Sequence, residues 1–335
     1  MRGGCDFAAS LLQNLLKEIV MSDAKETKTI KKSKSTAFNR WGYFFIAPFF
    51  IVFIVFSLIP LVSTFVNSLF ENYRVGLSTV GPKFIGLANF KAVFQSDILR
   101  YIKNTFVLWM AGFIPQIIVS LVLSVWFTSI ELRLKAQQFF KTVIYLPNLI
   151  MASAFAMLFF TLFSDNGPVN SILLRVGLVT ENVRFLSSQA WTRGLVATMN
   201  FLMWYGNTTI LLMAGIMGID ESIYEAAKID GASPLQVFFK ITMPMLMPIF
   251  VYVLITSLIG GIQMFDVPQI LTNGEGNPNR TSLTLIMYLN KHLTNKNYGM
   301  AGAVSVITFA LTSVFSFTVY SMTMKKYKDM TGGKR

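Results

Sequence analysis

Six side chains in apolar surroundings have the chemistry to hold a hydroxyl-rich ligand. Asn200, Trp204, Tyr205 and Asn207 lie in one uncharged stretch, and Gln263 and Asp266 lie in another. Amides and carboxylates hydrogen-bond hydroxyls, and aromatic faces stack on the apolar faces of rings. Asn200, Trp204 and Asn207 fall at i, i+4 and i+7, so they share one face of a helix. The blander reading is that these groups hydrogen-bond neighbouring helices, as polar residues in bundles do. For Asp266 it is that a rim carboxylate faces water or bonds to the next loop. Enzyme chemistry finds no footing here. One histidine, His292, and one cysteine, Cys5, exclude a His/Cys metal cluster and an internal disulfide. His292 falls in an outer loop and is expected to be solvated. No Gly-x-x-x-x-Gly-Lys-Ser/Thr run occurs, and Gly332-Gly333-Lys334 lacks the strand–loop–helix context. The chain is expected to hydrolyse nothing itself and to bind no cofactor or metal.

The elements that must position these groups follow from where charge is absent. Of 335 residues, 53% are hydrophobic and only 13% charged, whereas a soluble domain is about 25% charged. Uncharged stretches recur at roughly 41–70, 105–129, 142–164, 194–218, 244–272 and 298–324, each near the 20 or so residues that cross a bilayer core. Every Lys and Arg, and 15 of the 16 acids, lie outside them; Asp266 is the exception. A charge at bilayer centre costs about 2.5–3.5 kcal/mol even on mild scales, so such sorting marks an all-α polytopic membrane protein with about six transmembrane helices.

An even number of spans puts both ends on one side. The tails with loops 130–141 and 219–243 hold 18 basic residues, against 11 in the opposite loops 71–104, 165–193 and 273–297. That bias places both termini in the cytoplasm of a cytoplasmic (inner) membrane. The net charge of +13 is then a property of the membrane rim and not a nucleic-acid signal. Residues 1–40 read as a basic cytoplasmic tail, with a short amphipathic helix at Phe7–Val20 and a solvated run at Lys25–Lys34. Met21 reads like an ordinary start, which would make residues 1–20 a dispensable extension. Residues 41–104 hold the first span and an outer loop, residues 105–324 five further spans, and residues 325–335 a cytoplasmic tail.

Loop 219–243 contains more construction than a connection between two spans requires. Asp220 is placed to cap a short helix over residues 221–230, and Gly231 to end it in the left-handed conformation. Ser233-Pro234-Leu235-Gln236 is a capping box with proline at the first helical position, so a second helix starts at once. Pro244 marks entry to the next span. Such a helix–turn–helix either lies on the lipid surface or docks a soluble partner.

The string EAAKIDGASPLQVFFKITMP resembles the EAA loop of ABC importer permeases. In that family the loop is a coupling helix seated in a cleft of the cytoplasmic ATPase. The resemblance assigns this role to Glu225, Ala226, Ala227, Asp230, Gly231 and Pro244. It implies that the two alanines permit close approach, that Gly231 makes the turn, and that Glu225 pairs with a base on the ATPase. Residues 101–324 are similar to the permease core, including Asn104-Thr105 and Tyr145-Leu146-Pro147. Gln263-Met264-Phe265-Asp266 with Leu271-Thr272, Thr281, Gly299 and the lead-in Phe84–Phe90 resemble the carbohydrate-importing subgroup, akin to maltose and multiple-sugar permeases. The subgroup's Thr-x-Gly-Gly-Pro turn is replaced here by Thr272-Asn-Gly-Glu-Gly-Asn-Pro278. The resemblance implies a type I ABC importer permease fold and a sugar or oligosaccharide path lined by the six candidates above. It also implies a second, related permease, an ATPase dimer carrying ATP and Mg, and an extracytoplasmic substrate-binding protein. Two other readings stay open: a permease of this family for another solute, such as a glycerophosphodiester or amino acid, and an ion-coupled secondary transporter.

Overall fold

A backbone crossing hydrocarbon must satisfy its polar groups within itself, and the uncharged stretches accordingly form helices. The computed structural model describes residues 39–129 and 137–330. The segments Phe7–Val20 and Lys25–Lys34 and the Gly332-Gly333-Lys334 tail lie outside the described residues. The chain divides into two units at Leu61. The first contains α1 (Asn39–Phe53) and a π-helical turn at Ile54–Leu58. α2 (Ile59–Ser68) carries the chain into the second unit. The whole stretch Gly42–Ser68 is apolar and 27 residues long, with large side chains such as Phe45 and Phe56 exposed.

The second unit begins with a hairpin, β1 (Phe70–Val75) against β2 (Ser78–Phe84), and a short α3 (Ala88–Gln95). The long α4 (Ile98–Thr128) follows. Next come α5 (Gln137–Leu149), α6 (Ala152–Leu162), α7 (Pro168–Arg175) and the 29-residue α8 (Gln189–Met217). Two short helices, α9 (Glu221–Ile229) and α10 (Pro234–Val237), precede a π-helical turn at Phe238–Thr242. The chain closes with α11 (Met243–Ile262), α12 (Asp266–Leu271), α13 (Leu285–Thr294) and α14 (Tyr298–Met330).

Among the described residues, four helical stretches are long and apolar enough to cross a membrane: Gly42–Ser68, Ile98–Thr128, Pro234–Leu271 and Tyr298–Lys325. The number rises to six if two bent pairs each count as one. The expected spans need three corrections. Stretch 142–164 is not one helix, because α5 and α6 meet at 88°. Pro147 denies α5 a backbone donor near its end, and the Asn148 amide is drawn away to donate to the Met203 carbonyl on α8 at 2.9 Å. Stretch 244–272 breaks at Gln263–Phe265. A proline ring collides with the carbonyl four residues earlier in a continuous helix; for Pro268 that is Met264, whose carbonyl instead accepts from Thr284 Oγ1 at 2.9 Å. The second span also starts earlier than residue 105, and the outer loop 71–104 before it holds the hairpin, an exception to the all-α expectation.

The long helices pack through small residues, which let backbones approach closely. A Cβ on Gly206 of α8 would lie 2.0 Å from the Ile144 carbonyl oxygen of α5, and one on Gly261 would lie 2.1 Å from the Trp109 ring of α4. Polar groups tie the same helices together. Gln116 donates to Thr208 at 2.8 Å, Ser120 to the Tyr205 carbonyl at 2.9 Å, and Trp109 to Ser257 at 3.1 Å. The core between α4, α6, α8 and α12 is apolar, with Leu108, Phe155, Met199, Met203 and Val267 at its centre.

At one end of the bundle the loops predicted to lie on the same side do interlock. Asn89 donates to the carbonyls of Ser68 and Phe70, and Tyr73 bridges to Asn297. Thr105 Oγ1 accepts from the Leu285 amide at 2.9 Å, and Tyr288 donates to Ser96 at 3.0 Å. Residues 70–104 and 272–297 therefore form one cap.

Candidate functional site

The loop after α8 folds as its residue types dictate. Asp220 Oδ1 accepts from the Ser222 amide at 3.0 Å and starts α9. Asp230 caps the other end, and Gly231 adopts φ +72°. No atom lies within 4 Å of where its Cβ would be, so glycine answers the backbone's hand there and not a lack of room. The Ser233 capping box forms in full, with the Ser233 amide donating to Gln236 Oε1 at 2.8 Å. Pro244 lies in the first turn of α11. α9 departs from α8 at 73°. Ala227 is buried while Glu225, Ala226 and Asp230 are exposed. The two alanines thus differ in setting: Ala227 closes α9 onto the protein and Ala226 is offered outward.

Ala226 shares a face of α9 with Ile229, 85% exposed, and Leu235, 70% exposed, follows in the next short helix; Glu225, Lys228 and Asp230 are exposed beside them in the chain. This is an apolar knob among exposed charges of both signs, suited to docking in a cleft. Tyr224 and Thr242 meet at 3.3 Å through their hydroxyls, so α9 is tied to the π-helical turn that leads into α11. Sequence reasoning missed that tie, which joins residues on two elements of one loop.

The other candidates are partly brought together. Asn200 is half-buried; its amide donates to the Val196 carbonyl at 2.9 Å and meets Met264 Sδ at 3.3 Å. That contact sets the Gln263–Asp266 turn beside the Asn200 face of α8. Trp204, one turn along, is 47% exposed, and Asn207 is half-buried. Gln263 and Asp266 are exposed, and no described residue hydrogen-bonds or pairs with either side chain. Val267, Pro268 and Leu271 point into the core, which turns Asp266 the other way. Tyr205 departs from the group, its ring stacked on Phe201 at 5.2 Å. An exposed carboxylate and an exposed amide do not suit hydrocarbon; this face fits a wet cavity or a neighbouring subunit.

Next to it, two arginines grip segment 279–283, and a third, Arg280, lies within it. Arg193 donates through Nε and Nη2 to the Thr281 carbonyl at 3.0 and 2.8 Å, and through Nη2 to Asn104 Oδ1 at 2.8 Å. Asn104 in turn donates to the carbonyls of Arg280 and Leu283. Arg100 donates to the Asn279 carbonyl, and Arg280 lies 4.0 Å from Asp97. Asn279 and Arg280 sit at φ +52° and +55°, a conformation costly for residues with a Cβ unless the surroundings hold it. An arginine at the mouth of a span, seven residues before Asn200, was the sequence signal for this network. Nearby, Lys291 donates to Glu275 at 2.9 Å and holds that carboxyl below its usual range.

His292 corrects the expectation of a solvated ring. It is half-buried, its Nε2 is enclosed without a partner, and its ring meets Tyr288 edge-on at 4.7 Å. Burial lowers its pKa from 6.5. Among the described residues no group of three His, Cys, Asp or Glu could hold a metal ion.

Several long apolar helices, two of the stretches interrupted, with a structured loop at one end, define a multi-pass membrane protein. Residues 120–326, more than half of the chain, match the family model "Binding-protein-dependent transport system inner membrane component", and the chain belongs to that family, the membrane permeases of ABC importers. It is 31% identical to the lactose transport system permease protein LacF of Rhizobium radiobacter, across 86% of this chain and 96% of that one. It is 30% identical to the arabinooligosaccharides transport system permease protein AraP of Bacillus subtilis, across 82% and 85%. The fold matches a crystal structure of a bacterial ABC transporter involved in the import of the acidic polysaccharide alginate, with TM-score 0.73, 24% identity and coverage of 86% and 96%. These relatives support a permease and not an ion-coupled carrier.

Proposed function

We propose that the chain forms the translocation path for a sugar or oligosaccharide handed over by an external binding protein, and is driven by a separate ATPase dimer docked on loop 219–243. The observation that carries this reading is the outward-facing knob of Ala226, Ile229 and Leu235 on a loop braced by two caps and a left-handed glycine. Nothing in a simple connector needs that bracing. Relatives named for lactose and arabinooligosaccharides support the substrate class. Asn200, Trp204, Asn207 and Gln263 supply the amides and the ring face that sugars bind, with Tyr205 behind them. ATP and Mg belong to the ATPase, and this chain binds neither. A related second permease completes the path, and both termini face the cytoplasm with the loop. Closure of the ATPase dimer draws the coupling loops together and opens the path outward, a rigid-body switch between two states.

The test is co-purification. Solubilised wild-type membranes should yield the chain with an ATPase subunit, and Gly231→Asp or Glu225→Lys should lose that subunit while the chain still inserts. Retention of the ATPase by both variants would remove the loop from this role.

A further inference from the structure

We infer that Asp266 makes the path selective by charge, admitting uncharged saccharides and rejecting uronates. This deepens the sugar reading and rests on it. Among the described residues Asp266 is the one acid that falls within the six apolar stretches, and it stands exposed at the break between α11 and α12. No described residue neutralises it, so its charge acts on whatever occupies the adjoining space.

Its neighbours are neutral. Asn200 meets Met264, two residues from Asp266, and Gln263 and Trp204 add an amide and an indole. Three arginines in or against the cap are already engaged. Arg193, two turns from Asn200 on the same face of α8, holds the Thr281 carbonyl and Asn104. Arg100 holds the Asn279 carbonyl, and Arg280 faces Asp97. A uronate reaching the Asn200–Asp266 face therefore meets a carboxylate that no described residue pairs with. A neutral sugar hydroxyl meets an acceptor. Like-charge juxtaposition is how proteins reject wrong ligands without improving the right one.

The test uses the purified complex in nanodiscs without the binding protein, so that the permease alone discriminates. Saturation-transfer NMR reads binding of two probes, arabinopentaose and pentagalacturonate. Wild type should favour arabinopentaose by about tenfold or more, and the gap should narrow as salt is added. Asp266→Asn keeps a hydrogen-bonding group and removes the charge. It should raise pentagalacturonate binding to within about threefold of arabinopentaose. Gln263→Glu should deepen the rejection. Equal binding of the two probes by wild type, or no gain for pentagalacturonate in Asp266→Asn, overturns the inference and leaves the sugar reading standing. No signal from either probe overturns the sugar reading and this inference with it.

Discussion

A Cβ at Gly206 would stand 2.0 Å from the Ile144 carbonyl oxygen, whereas a Cβ at Gly231 would meet nothing within 4 Å. The two glycines are needed for different reasons, and alanine separates them. At Gly206 the added methyl must push α5 off α8, a collision with backbone that no side-chain rotation relieves. At Gly231 it meets only the strain of φ +72°. Gly206→Ala should cost at least about 1–3 kcal/mol, and Gly231→Ala about 1–2 kcal/mol. Thermal unfolding of the purified chain checks the order. It should also show that Gly231→Asn, whose side chain tolerates the left-handed region, recovers part of the loss.

At the scale of elements, the loop between α8 and α11 is one mechanical piece because Tyr224 reaches Thr242. A π-helical turn leaves one residue's backbone bonding shifted relative to the α pattern, and such turns gather at functional sites. Movement of α9 is passed through that hydroxyl pair into the turn and on to α11. Tyr224→Phe keeps the ring and removes the link. It should leave ATPase co-purification unchanged and lower transport per ATP hydrolysed by about threefold, the effect of one hydrogen bond near 0.7 kcal/mol. Proteoliposomes reporting both rates test this.

The loop was also the most legible part of the sequence, because capping and turn chemistry are local: Asp220, Gly231 and Ser233-Pro234-Leu235-Gln236 each act within a few residues. The six apolar stretches were legible for a similar reason, since hydrocarbon acts on each run separately. What escaped was what depends on distant partners. Pro147 and Pro268 were visible as prolines, but whether each kinks or breaks its span depends on Asn148 finding Met203 and Met264 finding Thr284. Asn200, Trp204 and Asn207 were correctly placed on one helix, yet only packing showed that Tyr205 turns to Phe201.

For the molecule as a whole, stability should carry a signature of His292. In the folded protein burial disfavours the charged ring and lowers its pKa, while the unfolded chain protonates it near the ordinary value of 6.5. The unfolded state then binds more protons below that value, so stability is full above it and falls as the pH drops through it. The melting temperature of wild type should decline between about pH 7.5 and about pH 5.5, and His292→Phe should decline less. An identical pH profile for the two would show that the buried ring does not set this dependence. Other groups titrate equally in both proteins, so the difference isolates one ring.

The bridge from Tyr73 to Asn297 has a consequence for biosynthesis. β1 leaves the ribosome early, and its lateral partner emerges only after α4 to α13 have been made. Gly299, whose Cβ would sit 2.4 Å from the Phe70 carbonyl oxygen, arrives later still. During that interval the hairpin presents an open edge, the kind of surface on which chains aggregate. A nascent polypeptide that stalls before residue 297 therefore keeps an unsealed strand. Maturation of the cap is a report that translation has reached the last helix.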